Sequence, residues 1–150
     1  MTLSEAQWNN VLAFWAKHIE NDPTKHGHEV LIRLFLESKA AQNLFDKFRH
    51  LGSEAEMRSC ADLQKHGNTV FTALGKTLKL KGHHDADLRP MAESHSHKHK
   101  IPVENFTLIC SIIDKYLHES FSDYTGDTRE SLKSALGGVC HSLEKLYKEV

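Results

Sequence analysis

An excess of charge of either sign is missing from this chain. Its 150 residues contain 19 lysines and arginines against 20 aspartates and glutamates, a formal net charge of −1. Such a balance lacks the basic surface that attracts nucleic acid or anionic membranes, and we expect neither partner. No apolar run approaches the ~20 residues of a transmembrane helix, and no signal-peptide pattern is present, so we expect no membrane insertion and a cytoplasmic location.

Cysteine is scarce, and its spacing suggests no metal or redox motif. Cys60, Cys110 and Cys140 are an odd number without a C-x-x-C pair, which is typical of a protein from a reducing compartment. We expect Cys110 and Cys140 to be small buried residues on helices and Cys60 to be exposed. A chain of this length buries about two-thirds of its unfolded surface without disulfides, so we expect one domain over residues 1–150.

Helical periodicity dominates the sequence, and strand alternation is nearly absent. Ser4 to Gln7 form a capping-box pattern, which predicts a first helix ending just before Pro23. A second helix follows, then a short helical corner over 43–53 and a long helix from about 55 to 80. Three further helices are predicted: one starting near 85–89, with Pro90 in its first turn, one after Pro102 and one after Gly126.

Histidine is the abundant residue, with 12 copies. In the stretch MAESHSHKHKIP, residues 91–102, histidines occupy positions 95, 97 and 99. At 100° per residue, His95 and His99 share an apolar helix face, whereas His97 points away from it. An unpaired imidazole at the centre of such a face costs about 1–3 kcal/mol, so His95 needs a partner.

Three interpretations of these histidines compete. Any single one, taken alone, is most often an ordinary half-buried helix residue. His66, on the apolar side of a different helix, suggests instead that it and His95 converge on a planar iron cofactor. His95 and His99, four residues apart, have the spacing of a zinc or nickel site but lack an H-E-x-x-H pattern. Met91 and His95 lie on the same side of a helix and cannot be opposite axial ligands.

Several stretches carry a more specific signal: VLIRLF, LFDKFRHL, EAEMR, LQKHG, TALGKTLKLKGHH and SHSHKHKIP. With these stretches at helix-length spacings, the chain resembles the globin family, and the vertebrate myoglobins most closely. The resemblance implies an all-α globin fold of about eight helices around one heme b, which is iron protoporphyrin IX. Gly27 and Gly67, both mid-helix, would then let two helices approach closely where they cross.

The resemblance also implies a set of site residues. His95 matches the proximal ligand of the heme iron, and His66 matches the distal histidine that hydrogen-bonds the gas. The resemblance also assigns seven apolar residues to the ligand pocket or to contact with the porphyrin: Phe45, Leu31, Val70, Ile109, Met91, Ile101 and Phe106. Ser94 is in position to orient the His95 imidazole, a role that a backbone carbonyl would also fill. Lys47 and His99 match positions that contact the heme propionates.

The expected function is reversible dioxygen binding for storage and facilitated diffusion, by a monomer. Carbon monoxide, nitric oxide and nitrite are further expected ligands. Two alternatives from other classes stay open. One is a heme oxidoreductase that reduces nitrite, scavenges nitric oxide or acts as a pseudoperoxidase. The other is a six-coordinate heme sensor or electron carrier, in which His66 binds the iron directly.

Overall fold

The computed structural model describes residues 3–98 and 101–149, with the backbone alone at residues 97 and 98. Over these ranges the chain is helical and contains no strand, which confirms the all-α prediction. The α-helices are α1 (Glu5–His18), α2 (Pro23–Glu37), α3 (Lys39–Asn43), α4 (Glu54–Arg58), α5 (Ala61–Leu78), α6 (Asp85–Glu93), α7 (Glu104–Ser120) and α8 (Gly126–Glu149). None of the described helices is long and apolar enough to cross a membrane.

The first two helices begin where side chains cap them. In α1 the Ser4 hydroxyl accepts a hydrogen bond from the Gln7 backbone N–H at 3.2 Å, and the Gln7 side chain accepts one from the Ser4 backbone at 2.8 Å. The predicted capping box is therefore confirmed. The helix ends at His18, earlier than predicted, and residues 19–22 form a turn before Pro23, the first residue of α2.

The predicted long helix over residues 55–80 is wrong, because the structure divides it into α4 and α5. The Ser59 hydroxyl donates back to the Ala55 carbonyl at 2.7 Å, which ends α4. Cys60 follows in an extended conformation, with φ −81° and ψ 107°, and precedes α5 as its N-cap. Cys60 is also half-buried against the core rather than exposed, which corrects the expectation for this thiol.

The predicted helical corner over 43–53 is a series of turns between α3 and α4. Its conformation is fixed by Gln42, whose buried side-chain amide donates to the carbonyl oxygens of Phe48 at 2.8 Å and Leu51 at 2.7 Å. These bonds satisfy carbonyls that no helical ladder pairs. One side chain therefore holds a corner that helical periodicity alone does not predict.

Helices α2 and α5 cross at two glycines. A Cβ atom added to Gly27 would lie 2.1 Å from the carbonyl oxygen of Gly67, and one added to Gly67 would lie 2.4 Å from the backbone nitrogen of His28. Either separation is far below van der Waals contact, so only glycine fits at each position. The predicted close approach is confirmed. Because Gly67 directly follows His66, this crossing also sets how closely the His66 segment approaches α2.

The buried apolar side chains form two clusters. The larger draws on α1, α2, α5, α7 and the first half of α8, and includes the rings of Phe14 and Phe71. The smaller joins α6 to the second half of α8 and consists of Leu88, Ala92, Val139, Leu143 and Leu146, with Met91, Phe106 and Tyr147 at its edge. Helix α8 is therefore shared between the two clusters.

Helix α6 begins at Asp85, as predicted, but Pro90 is its sixth residue rather than part of its first turn. Proline lacks a backbone N–H, so the helix continues past this residue without the bond that an ordinary residue would donate. A π-helical turn, Ser94–Lys98, follows directly. The ideal 100° spacing used to align the histidines therefore does not hold beyond Glu93.

Candidate functional site

A cleft of about 670 Å³ opens between α5, the corner that follows α3, and the segment around the π-helical turn. Its lining residues are Leu44, Phe45, Asp46, Lys47, Phe48, Asp62, Lys65, His66, Thr69, His95 and Ile101. The two histidines singled out from the sequence, 29 residues apart in the chain, thus line one cleft. Its volume is in the range of about 300–1,000 Å³ that small-molecule and cofactor sites occupy.

His66 is held on its side of the cleft by aromatic rings from the corner. Its ring centroid lies 5.6 Å from that of Phe45 and 5.8 Å from that of Phe48. Phe48 is buried, whereas Phe45 and His66 are half-buried. These ring contacts restrict the imidazole, and they give the cleft an apolar wall beside a polar ring.

His95 lies in the π-helical turn, and its orientation is fixed by the backbone. Its Nδ1 lies 2.9 Å from the carbonyl oxygen of Met91. Because a carbonyl only accepts, Nδ1 must carry the hydrogen, and in the neutral ring the lone pair is then on Nε2. Of the two predicted partners for this ring, the hydrogen bond goes to a backbone carbonyl rather than to the Ser94 hydroxyl.

Ile101 ties this side of the cleft to the rest of the fold. Its backbone N–H donates to the carbonyl of His95 at 2.8 Å, and its own carbonyl accepts from the Tyr147 hydroxyl at 2.7 Å. The Phe106 ring lies 5.6 Å from the His95 ring and 5.9 Å from the Tyr147 ring. The segment that carries His95 is therefore braced against both α7 and α8.

Charged side chains surround the mouth of the cleft. Lys47 Nζ lies 4.0 Å from Asp62 Oδ2, and these side chains are 71% and 62% exposed. Such an exposed pair contributes little to stability and rearranges easily. With Lys65 also on the lining, the mouth has ammonium groups that could contact a ligand's carboxylates.

A comparison with known protein families gives evidence on the identity of this chain, beside the geometry of the cleft. The family model for globins matches residues 28–143, more than three-quarters of the chain. The chain belongs to the globin family. The matched region includes both histidines of the cleft and every residue that lines it. Membership supports heme as the cofactor and small gases as the ligands of this globin.

The residues of the cleft suit such a cofactor. A planar group with a metal at its centre and acidic substituents at one edge needs an imidazole lone pair, apolar walls and cations at the rim. His95, the rings of Phe45 and Phe48, and the lysines at the mouth have these properties. Among the described residues, no group of three or more His, Cys, Asp or Glu side chains converges as a metal site.

The cleft of this globin does not include all the predicted site residues. Of them, Phe45, Lys47, His66, His95 and Ile101 line it. Those beyond its described lining are Leu31, Val70 and Ile109, which pack in or against the larger cluster, Met91 and Phe106, at the edge of the smaller cluster, and the half-buried Ser94. His99 and the side chain of His97 lie outside the described residues, so the interpretation as a zinc or nickel pair stays untested.

Sequence reasoning missed several residues of the lining. Asp62 and Thr69 lie four residues before and three residues after His66, so helical spacing on α5 could have identified them. Phe48 belongs to LFDKFRHL, one of the stretches that carry the family resemblance, but no periodicity marks its ring as a neighbour of His66. Its position depends on the turns of the corner, which the sequence did not predict.

Proposed function

We propose that this globin binds dioxygen reversibly at one heme b, for oxygen storage and facilitated diffusion, in the manner of a vertebrate myoglobin. Residues 1–150 form one globin domain in this proposal. The observation that carries it is the pairing of His66 and His95 across one cofactor-sized cleft in a chain of this family. Bound heme supplies a ferrous iron at which a diatomic gas binds and dissociates without net chemistry.

His95 is the proximal ligand in this proposal. Support comes from its hydrogen bond to the Met91 carbonyl, which puts the ring hydrogen on Nδ1 and makes Nε2 the nitrogen that would ligate the metal. The same bond fixes the plane of the ring and increases the basicity of the ligating nitrogen. Ile101 and Phe106, which contact the His95 segment, would hold the ligating ring in place.

His66 is the distal residue in this proposal. The His66 imidazole would donate a hydrogen bond to dioxygen, which would carry partial negative charge when bound, whereas carbon monoxide would gain less from the same donor. Phe45 and Phe48, which contact the His66 ring, restrict its motion. Lys47 and Lys65, on the lining of the cleft, would contact the heme propionates, and His99 is proposed as a further propionate contact.

Replacing His95 with glycine tests the proximal assignment. We expect His95→Gly to lose the absorption spectrum of an imidazole-ligated heme, and added imidazole to restore it. His83→Gly is the matched control, since His83 is exposed and lies beyond the cleft lining. A His95→Gly protein with an unchanged spectrum and no response to imidazole would overturn the proposal.

Replacing His66 with leucine tests oxygen binding itself. The lost hydrogen bond to a partly charged ligand is worth about 1.5–3 kcal/mol, so dioxygen should dissociate about 10–150 times faster from His66→Leu, with little change for carbon monoxide. Unchanged dioxygen dissociation would contradict the distal role. A five-coordinate spectrum of the reduced, ligand-free protein is expected, and a six-coordinate one would favour a sensor or electron carrier.

We also propose a monomeric, cytoplasmic protein. In the part of the chain that the structure describes, Leu36 is the one large hydrophobic side chain that is exposed, at 52%. A single residue does not make the apolar patch that stable association needs. Sedimentation over a range of concentrations should give one mass, and a concentration-dependent dimer or tetramer would contradict the monomer.

A further inference from the structure

Two cysteine side chains face each other between α7 and α8. The Sγ atoms of Cys110 and Cys140 lie 3.3 Å apart, and both cysteines are free thiols. The third thiol, Cys60, is the N-cap of α5, at a different place in the fold. The gas-binding site proposed above uses none of the three. A dithiol therefore lies at a helix interface where its two members already touch.

The chemistry of the pair is asymmetric. The pKa of Cys140 is lowered, because its sulfur, once ionised, accepts hydrogen bonds from the Cys110 thiol and from Thr107. Burial of the Cys140 sulfur and the nearby Glu144 carboxylate oppose this effect. The pKa of Cys110 is raised by the same contact and by burial. Cys140 is therefore the more readily ionised, more nucleophilic member.

The geometry suits a disulfide between the two helices. A disulfide has an S–S bond of about 2.05 Å, so the sulfur atoms need to approach by about 1.2 Å. Rotation of two side chains supplies movement of this size when the helices already pack against each other, as α7 and α8 do. Cys140 is 8% exposed and Cys110 is half-buried, so a small oxidant reaches them more easily than a bulky disulfide reagent does.

We propose that Cys110 and Cys140 form a peroxide-oxidisable dithiol, an oxidative modification site that links α7 to α8. In the first step the Cys140 thiolate attacks hydrogen peroxide, which forms an S–O bond, breaks the O–O bond and gives a sulfenic acid and hydroxide. The hydroxide becomes water with the proton that the Cys140 thiol released on ionisation. In the second step the Cys110 sulfur attacks the Cys140 sulfur, which forms the S–S bond and breaks the S–O bond, and the hydroxide that leaves becomes a second water with the proton of the Cys110 thiol. Two electrons pass from the thiols to one peroxide molecule.

The test counts thiols after the protein is treated with stoichiometric hydrogen peroxide. The heme-loaded protein is first saturated with carbon monoxide, so that the iron does not consume the oxidant. We expect two of the three thiols to disappear, the mass of the chain to fall by two hydrogens, and peptide mapping to find residues 110 and 140 linked. Dithiothreitol should restore all three thiols.

Cysteine variants distinguish oxidation of this pair from a general reaction of peroxide with all three thiols. Cys60→Ser is the matched control and should form the same linkage, whereas Cys110→Ser and Cys140→Ser should form none. The proposal is overturned if the unaltered protein retains three thiols, or if Cys60 enters a disulfide as fast as the pair does. Because mapping of the unaltered protein decides these outcomes, a poorly folded serine variant does not block the test. The thiol count reports only on the cysteines, so a missing linkage leaves the proposed roles of His66 and His95 unaffected, and failure of those roles in their own variants leaves the linkage unaffected.

Discussion

Replacing Gly27 with alanine tests the close crossing of α2 and α5. The new Cβ would lie 2.1 Å from the Gly67 carbonyl oxygen, and ordinary contact begins near 3.4 Å, so the helices must separate by about 1.3 Å. Both groups belong to backbone, so neither yields by a side-chain rotation. Overpacking of this kind costs about 1–3 kcal/mol or more, whereas the higher helix propensity of alanine returns up to about 1 kcal/mol. We expect a net loss of about 2 kcal/mol.

Urea unfolding of the heme-loaded protein measures this loss, and α8 supplies the matched control. A Cβ added to Gly137 meets nothing within 4 Å, so Gly137→Ala should gain about 0.4–1 kcal/mol from the same chemical change. The two variants should therefore differ by about 3 kcal/mol in the free energy of unfolding. Equal stabilities would refute the close crossing. Dioxygen dissociation should also change in Gly27→Ala alone, because His66 precedes the displaced Gly67.

Two further predictions concern the corner and the buried histidines. Gln42→Leu removes the side-chain bonds to two carbonyls, of which that of Phe48 keeps a bond from the Leu51 N–H and that of Leu51 loses its partner. We expect a loss of about 1.5–4 kcal/mol in urea unfolding and faster amide exchange over residues 44–51. Gln64→Leu, which loses one 3.5 Å bond, should change little. Burial lowers the pKa of His26 and His84, so below about pH 6.5 the unfolded chain binds protons that the folded chain does not. The free energy of unfolding should fall there by up to about 1.4 kcal/mol per pH unit for each histidine, and a flat profile would contradict this.

Local signals in the sequence were enough to predict much of the fold. The capping box at Ser4 and the break at Pro102 depend on chemistry within one turn of chain, and both mark a helix start in the structure. The last helix was predicted to follow Gly126, and α8 begins at that residue. Its φ of +54° lies in the left-handed region that favours glycine. The apolar residues of α8 from Leu132 to Leu146 recur at helical spacing, and the structure buries them.

The predictions that failed concern segments whose local structure depends on contacts between distant residues. The corner over 44–50 depends on the Gln42 side chain and on rings that meet His66 from another helix, and neither contact has a periodic signature. The π-helical turn that carries His95 likewise breaks the spacing from which its face was predicted. The apolar helix faces of His66 and His95 suggested that the two converge, but only the family resemblance favoured this interpretation over the alternatives, since no spacing rule links two helices across a cleft.

The division of α8 between two apolar clusters has a consequence for the order of folding. The larger cluster holds α8 through Leu132 and Leu136, and this leaves Leu143 and Leu146 as a surface on which α6 docks. Contacts between Leu88 and this surface close a loop of more than fifty residues, which is costly before α8 is anchored. We therefore expect α6, and with it the segment of His95, to dock late in folding. Weakening the contact between Leu88 and α8 should therefore increase the unfolding rate more than it decreases the folding rate.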